Sequence, residues 1–403
     1  MKKFISYKQS QEILNSIKRD IKATKKIYLS DSLGEVLATD IIAQGNSPEY
    51  ETSAMDGYAI LYEDQDLECI KIIDKNPAGS VVQSSVSSGV CIKTFTGSLM
   101  PRGADSLIPI ENVEVKDDTI VIKEKVQKGF SVRPIGENYK DGETLIKKGT
   151  LIDFVQIGVM ASLNIVQVEV FVKPTVAIAS TGSEILDIGQ TQINQSQIRS
   201  SNHLTLEAIA KKYGANVFQM GVIQDDKQSI TNLLKNALVS SDIVVTTGGV
   251  SVGDYDFVKD IIKDELGCEV LFQGVMIKPG QHILFAKKDN KYIIGLPGFA
   301  YSSTVTFLLY VLPLIFKFKG SNESLDIVEA ILDEPYPKKA KAKTSFTACN
   351  VEFINGQYHI NFKDKKDGTS AILTNMLGDV GLLIQEEFTE DLNIGDKVKV
   401  ILL

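Results

Sequence analysis

At 403 residues the chain is too long for one ordinary domain, and about 100 to 200 residues per domain predicts two to four. With 43% hydrophobic and 23% charged residues, its composition is that of a folded protein rather than a disordered or fibrous one. The formal net charge of −8 argues against a general nucleic-acid binder and leaves small anions, held by a local basic patch, as ligands.

The N-terminus, MKKFISYKQSQEIL, turns polar before any apolar core of signal length, so no export signal is read and the expected location is the cytoplasm. Ser6 is placed to cap a helix carrying Ile13, Leu14, Ile17 and Ile21 at helical spacing. Over residues 46–141, short runs such as Val81-Val82 and Cys91-Ile92 alternate with Gly79, Gly89, Gly97 and Gly103, which predicts a small β-rich domain. From Pro174 onward strands and helices alternate as TVAIAS, LTLEAIAKKYGA, NVFQMGVI, QSITNLLKNAL and DIVVTT. That order predicts a parallel sheet covered by helices, with ligands at the carboxyl ends of its strands. The apolar run 305–316 contains Pro313 and falls short of the roughly 20 residues that span a bilayer, so it reads as a buried helix and no membrane is expected. The lysines of 338–343 read as a solvated edge, with a weak anion patch as the alternative, and KVKVILL as a last strand. Cys69, Cys91, Cys268 and Cys349, with His203, His282 and His359, lack metal-ligand spacing, which predicts buried or incidental thiols.

Three loops stand at predicted strand ends: ASTGSE, TTGGVSVGDYD and GLPGFAYSS. Glycine lets such a loop turn its N–H groups toward an anion, although each loop alone is an ordinary α/β turn. Glu184, Asp225, Asp254 and Asp256 lie in or just past these loops. Carboxylates beside a phosphate cradle make sense if a divalent cation, with magnesium the natural candidate, neutralises both; each taken singly is also an ordinary cap or turn acid. Lys278 in IKPGQH is expected at the same pocket edge as a point charge for an oxyanion. Asp56 in TSAMDGYA and Thr96 in TFTGSLMPRGAD occupy glycine turns near a further polar loop, RPIGEN, with Arg133 and Glu137.

In this order, SAMDGYA, TG…P.GAD, RPIGE, STGSE, TTGGVSVGDYD, KPG and GLPG resemble the molybdopterin molybdenumtransferases, the MoeA proteins and the E domains of gephyrin-type proteins. The resemblance implies a multidomain α/β plus β fold in an elongated homodimer. Its parts are a discontinuous domain of 1–44 and 142–172, an inserted β-rich domain of 45–141, a three-layer α/β molybdopterin-binding domain of 173–319 with a parallel sheet, and a C-terminal β-barrel-like domain of 320–403. It implies insertion of molybdate into adenylylated molybdopterin with release of AMP, assisted by Mg2+. Molybdopterin adenylyltransferase and molybdoenzymes are the expected partners, and no nucleic acid.

By the same resemblance Asp56, Thr96, Asp256 and Lys278 are catalytic, with Asp56, Thr96 and Glu137 reaching the cleft from the partner subunit. Thr181, Gly182, Ser183, Gly248, Gly249, Ser251, Gly253, Pro279, Gly280, Pro297 and Gly298 hold the pterin nucleotide, and Glu184, Asp225, Asp254 and Glu137 the cation. The chain departs from the family at Gly274, His282, Phe299, Ala300 and Asn138, and it lacks the arginines expected around 343–348. Lost cations weaken an oxyanion site, and His282 is expected to restore charge there below its pKa. An active insertase, an insertase for tungstate and a non-catalytic pterin-binding carrier or scaffold therefore all remain open.

Overall fold

The computed structural model describes residues 4–18, 23–224, 226–249, 257–366 and 370–403. The chain divides into two compact units, one of Met1–Ala38, Gly149–Asp153 and Gln167–Leu403, the other of Thr39–Lys148 and Phe154–Val166. The architecture is multidomain α/β plus β.

In the larger unit, helix α1 (Tyr7–Ser16) starts at a capping box in which the Ser6 and Gln9 side chains each bond the other's backbone. Ile21 of the expected apolar stripe lies outside the described residues. The α/β layer follows as β1 (Thr175–Thr181), α2 (Asn202–Lys212), β2 (Asn216–Ile223), α3 (Lys227–Ser240), β3 (Ile243–Thr247), β4 (Glu269–Gln273), β5 (Leu284–Lys288), β6 (Lys291–Leu296) and α4 (Ala300–Phe318). The sheet order is β2-β1-β3-β6-β5-β4, with β2, β1, β3 and β6 parallel and β5 antiparallel to both neighbours.

Side chains alternate across the sheet and build three layers. Val176, Ile178, Ile243, Val245 and Ile294 face one core with Leu206 of α2 and Leu309 of α4. Ala177, Ala179, Val244 and Ile293 face the other with Ile230 and Leu234 of α3. Helix α4 is long and apolar enough to cross a membrane, but 89% of it is buried inside the protein, so it is a core helix. It changes to π geometry over Phe307–Val311 and carries Pro313 in its last segment.

The C-terminal strands close a barrel. Thr344–Ile354, Gln357–Asn361, Ile327–Leu332, Lys397–Leu402 and Val380–Gln385 pair in that order, and the last pairs back with the first. Ile277–Lys278 joins this sheet by pairing in parallel with Thr344 and Ser345. Alternation again divides the faces: Cys349, Leu383 and Val400 fill the barrel, while Ala348, Leu382 and Ile401 extend the core beneath α4.

The smaller unit has a six-stranded sheet ordered Ser106–Pro109, Gly57–Ile60, Val90–Thr94, Ile70–Asn76, Thr119–Ile122 and Val113–Lys116. Cys91 and Ile92 lie in a strand as expected, whereas Val81 and Val82 lie in irregular chain with Val81 exposed. The four cysteines are free thiols, of which Cys69 is exposed.

Candidate functional site

The carboxyl ends of β1, β3 and β6 stand side by side, because Ser180 pairs with Thr247 and Thr247 with Leu296. Thr181 and Gly182 therefore meet Gly248, Gly249, Pro297 and Gly298 at one edge of the sheet. Gly248 has φ +92, and a Cβ there would stand 2.6 Å from the Thr181 carbonyl oxygen, so no larger residue fits unstrained. Its N–H donates to the Leu296 carbonyl at 3.1 Å. A Cβ on Gly298 would stand 3.8 Å from the Gly248 Cα, an ordinary contact.

A buried polar network beneath these loops has no signal in any motif. Asn202, first residue of α2, donates to the Gly298 carbonyl at 2.6 Å and to Thr247 Oγ1 at 3.4 Å. Thr247 Oγ1 bonds Ser180 Oγ at 2.9 Å. Ser200 links Ser180, at 3.3 Å, to His203 Nδ1, at 2.9 Å, and His203 Nε2 meets Asp187 at 3.2 Å. Ser183 and Glu184 are exposed on the loop after β1. Ser251, Gly253, Asp225, Asp254 and Asp256 lie outside the described residues.

Lys278 shares a cavity wall with Tyr301 of the GLPGFAYSS stretch. Its strand pairs with the barrel rather than with the α/β sheet, which places Lys278 and Pro279 on the wall of a cavity of about 350 Å3 formed with barrel residues. Lys339 and Lys366 share that wall, and no carboxylate is among its described lining residues. Lys339 and Lys341 are exposed as a solvated edge would have them, and Lys338 departs from that reading. Lys338 is buried, Lys339 lines the cavity, and Lys343 Nζ bonds Gln281 Oε1. Tyr301 OH donates to the Phe346 carbonyl at 3.0 Å and accepts from Ala348 N–H at 2.8 Å; burial pushes its pKa up, so it is a neutral brace for the wall.

The departures from the family pattern have local causes. At Gly274, φ +82, a Cβ would stand 2.2 Å from the Phe4 ring. His282 meets that ring edge-on at 5.5 Å and bonds the Gln281 side chain. Neither residue is among those lining the cavity. Phe299 is 58% exposed at the start of α4, and the Ala300 carbonyl accepts from the Ser303 and Thr304 hydroxyls.

In the smaller unit Asp56 accepts from Thr96 N–H at 2.8 Å and from Thr96 Oγ1 at 2.7 Å. These two bonds, backbone first, hold its pKa below the usual aspartate value. Glu137 is an ion-pair partner of Arg133 at 2.5 Å.

A divalent cation needs several oxygen ligands. The described chain offers Glu184 at the strand ends, Asp187 is engaged with His203, and no group of three metal-binding side chains is gathered among the described residues. The described donors do not complete a cation site.

The fold is an α/β protein carrying a β insert and a C-terminal barrel, with glycine loops at the parallel strand ends and a cavity whose described lining holds three lysines and no carboxylate. Residues 5–164 match the family model described as "MoeA N-terminal region (domain I and II)", and residues 177–317 the one described as "Probable molybdopterin binding domain". The molybdopterin molybdenumtransferase of Staphylococcus epidermidis is 33% identical over 342 residues, covering 81% of each chain; that of Staphylococcus aureus strain N315 is 33% identical over 341 residues with the same coverage. The crystal structure of the molybdopterin biosynthesis moeA protein from Pyrococcus horikoshii OT3 superposes over 100% of both chains, with a TM-score of 0.85 and 28% identity. The chain belongs to the molybdopterin molybdenumtransferase (MoeA) family of molybdenum cofactor biosynthesis.

Proposed function

We propose that this chain inserts molybdenum from molybdate into adenylylated molybdopterin and releases AMP. Family membership supports the pterin half of this reading. The oxyanion half rests on one observation: Lys278, Lys339 and Lys366 line a cavity with no carboxylate among its described lining. Three ammonium groups offset a dianion, and the Ser345 hydroxyl and Asn375 amide on the same wall supply directional hydrogen bonds. The glycine loops at the ends of β1, β3 and β6 would receive the phosphates of the pterin nucleotide on backbone N–H groups. Mg2+, when bound, would offset charge on the phosphoanhydride, with Glu184, Asp225, Asp254 and Asp256 as the acids nearest in sequence.

Asp56 and Thr96 are proposed to serve the site of a partner subunit in a homodimer, in the cytoplasm. Helix Phe154–Ser162 supports a dimer: it contains no charged residue, buries only Met160, and leaves Phe154 74% and Val155 54% exposed.

The test is AMP release from adenylylated molybdopterin with molybdate added. Wild-type protein should turn over, and Lys278→Ala should lower the molybdate-dependent rate about 10-fold or more through loss of a charge-assisted contact. Pterin binding without AMP release would instead identify a carrier. Lysines recognise charge and tetrahedral shape, which tungstate shares, so competition between the two oxyanions decides the metal.

A further inference from the structure

Lys338 is 5% exposed, and its ammonium donates to the Lys343 carbonyl at 2.9 Å, the Gln385 carbonyl at 2.8 Å and Ser345 Oγ at 3.3 Å. Three donors thus meet three neutral acceptors. Among the described residues no carboxylate stands at ion-pair distance from this nitrogen; Glu387 acts on it from farther away, and Asp391 accepts from the Lys338 backbone N–H. A buried charge without a counter-ion is costly and marks a place where something else recovers the cost. Ser345 and Gln385, two of its three partners, line the lysine cavity, so the ammonium sits one side chain behind that wall.

The contact also sets the polarity of Ser345. An ammonium only donates, so Ser345 Oγ accepts from Lys338 and donates its own proton to Gln385 Oε1 at 3.3 Å, a neutral acceptor that a bound anion would replace. Gln385 Nε2, buried on the same wall, has no acceptor in the structure.

We propose that Lys338 is a positioning residue for the oxyanion: a fixed counter-charge behind the cavity wall that holds the Ser345 hydroxyl as a donor to the bound anion. This rests on the reading that the cavity binds an oxyanion. Burial lowers the Lys338 pKa, as expected for an ammonium held without a carboxylate, and a bound anion would oppose that shift.

The experiment compares molybdate with perrhenate, tetrahedral ions of similar shape carrying two charges and one. Their affinities are measured by calorimetry on the full chain and on Lys338→Met. A coulombic role scales with ligand charge, so the variant should lose perrhenate affinity about fivefold and molybdate affinity about 25-fold. Equal losses for both ions, or none, overturn the proposal and leave Lys338 as a tie between strands. Wild-type protein that binds neither ion overturns the cavity reading itself, and the proposal with it. Should Lys338→Met not fold, Ser345→Ala removes the oriented hydroxyl while keeping the two carbonyl acceptors; an unchanged molybdate affinity there also overturns the proposal, and a loss of about tenfold supports it.

Discussion

Asp56 and Thr96 show how two exposed turn residues, 40 positions apart, become one chemical unit. Thr96 stabilises the carboxylate form of Asp56, so the folded-state pKa lies below the unfolded one. The stabilisation is present above the unfolded pKa and is lost as pH falls through the folded value. Thr96→Val removes the hydroxyl donor but keeps the N–H. The Asp56 midpoint, followed by carboxyl carbon NMR, should move up toward the ordinary value of 3.8 without reaching it. An unmoved midpoint would show that the backbone bond alone sets it. At the same scale Asp56→Asn should lower AMP release on the order of 100-fold if the carboxylate acts in proton transfer.

Elements meet at the strand ends through few groups, which makes their alignment sensitive to single side chains. Asn202 ties α2 to the ends of β3 and β6. Asn202→Ala leaves the Gly298 carbonyl without this donor inside a buried network, at a cost of about 1–3 kcal/mol. The melting temperature should fall by about 1–2 °C for each kcal/mol lost, because the shift per kcal/mol shrinks as the unfolding entropy grows with chain length. Asn202→Asp, which places an acceptor against that carbonyl, should fall further; a melting curve that matches wild type in both variants would remove Asn202 from this role. Gly248→Ala should destabilise by more than about 1 kcal/mol, because its positive φ and the Thr181 carbonyl both oppose a Cβ.

At the scale of the whole molecule the proposed homodimer needs a surface that water disfavours, and helix Phe154–Ser162 provides one. Phe154→Glu combined with Val155→Glu should shift light scattering from a dimer mass to a monomer mass while leaving the secondary structure intact. AMP release should fall with it if Asp56 serves the partner's site. A dimer that survives both charges places the interface elsewhere, and an active monomer ends the proposal that one subunit completes the other.

Much of this architecture was legible because local patterns and tertiary demands agree. Short apolar runs between helical runs announce β1, β2, β3, α2 and α3 within a few residues of their observed bounds, and the strand-end rule points to Thr181, Gly248 and Gly298. Ser6 announces its helix for the same reason, since a capping box is complete within four residues. The lysines were not legible in this way. Lys278, Lys339 and Lys366 are far apart in the chain, and only pairing of Ile277–Lys278 with Thr344–Ser345 brings the first to the barrel wall. In one dimension Lys338 is indistinguishable from its solvated neighbours, because burial depends on the barrel strands that close around it. The same holds for Gly274 and His282, whose departures from the family pattern make sense only once the Phe4 ring, about 270 residues away in the chain, is seen against them. Sequence alone thus determined the elements and the family, since both are written in short-range periodicity and motif order. Tertiary structure decided which charges face the cavity and which stand behind it, since charge placement depends on contacts between residues distant in the chain.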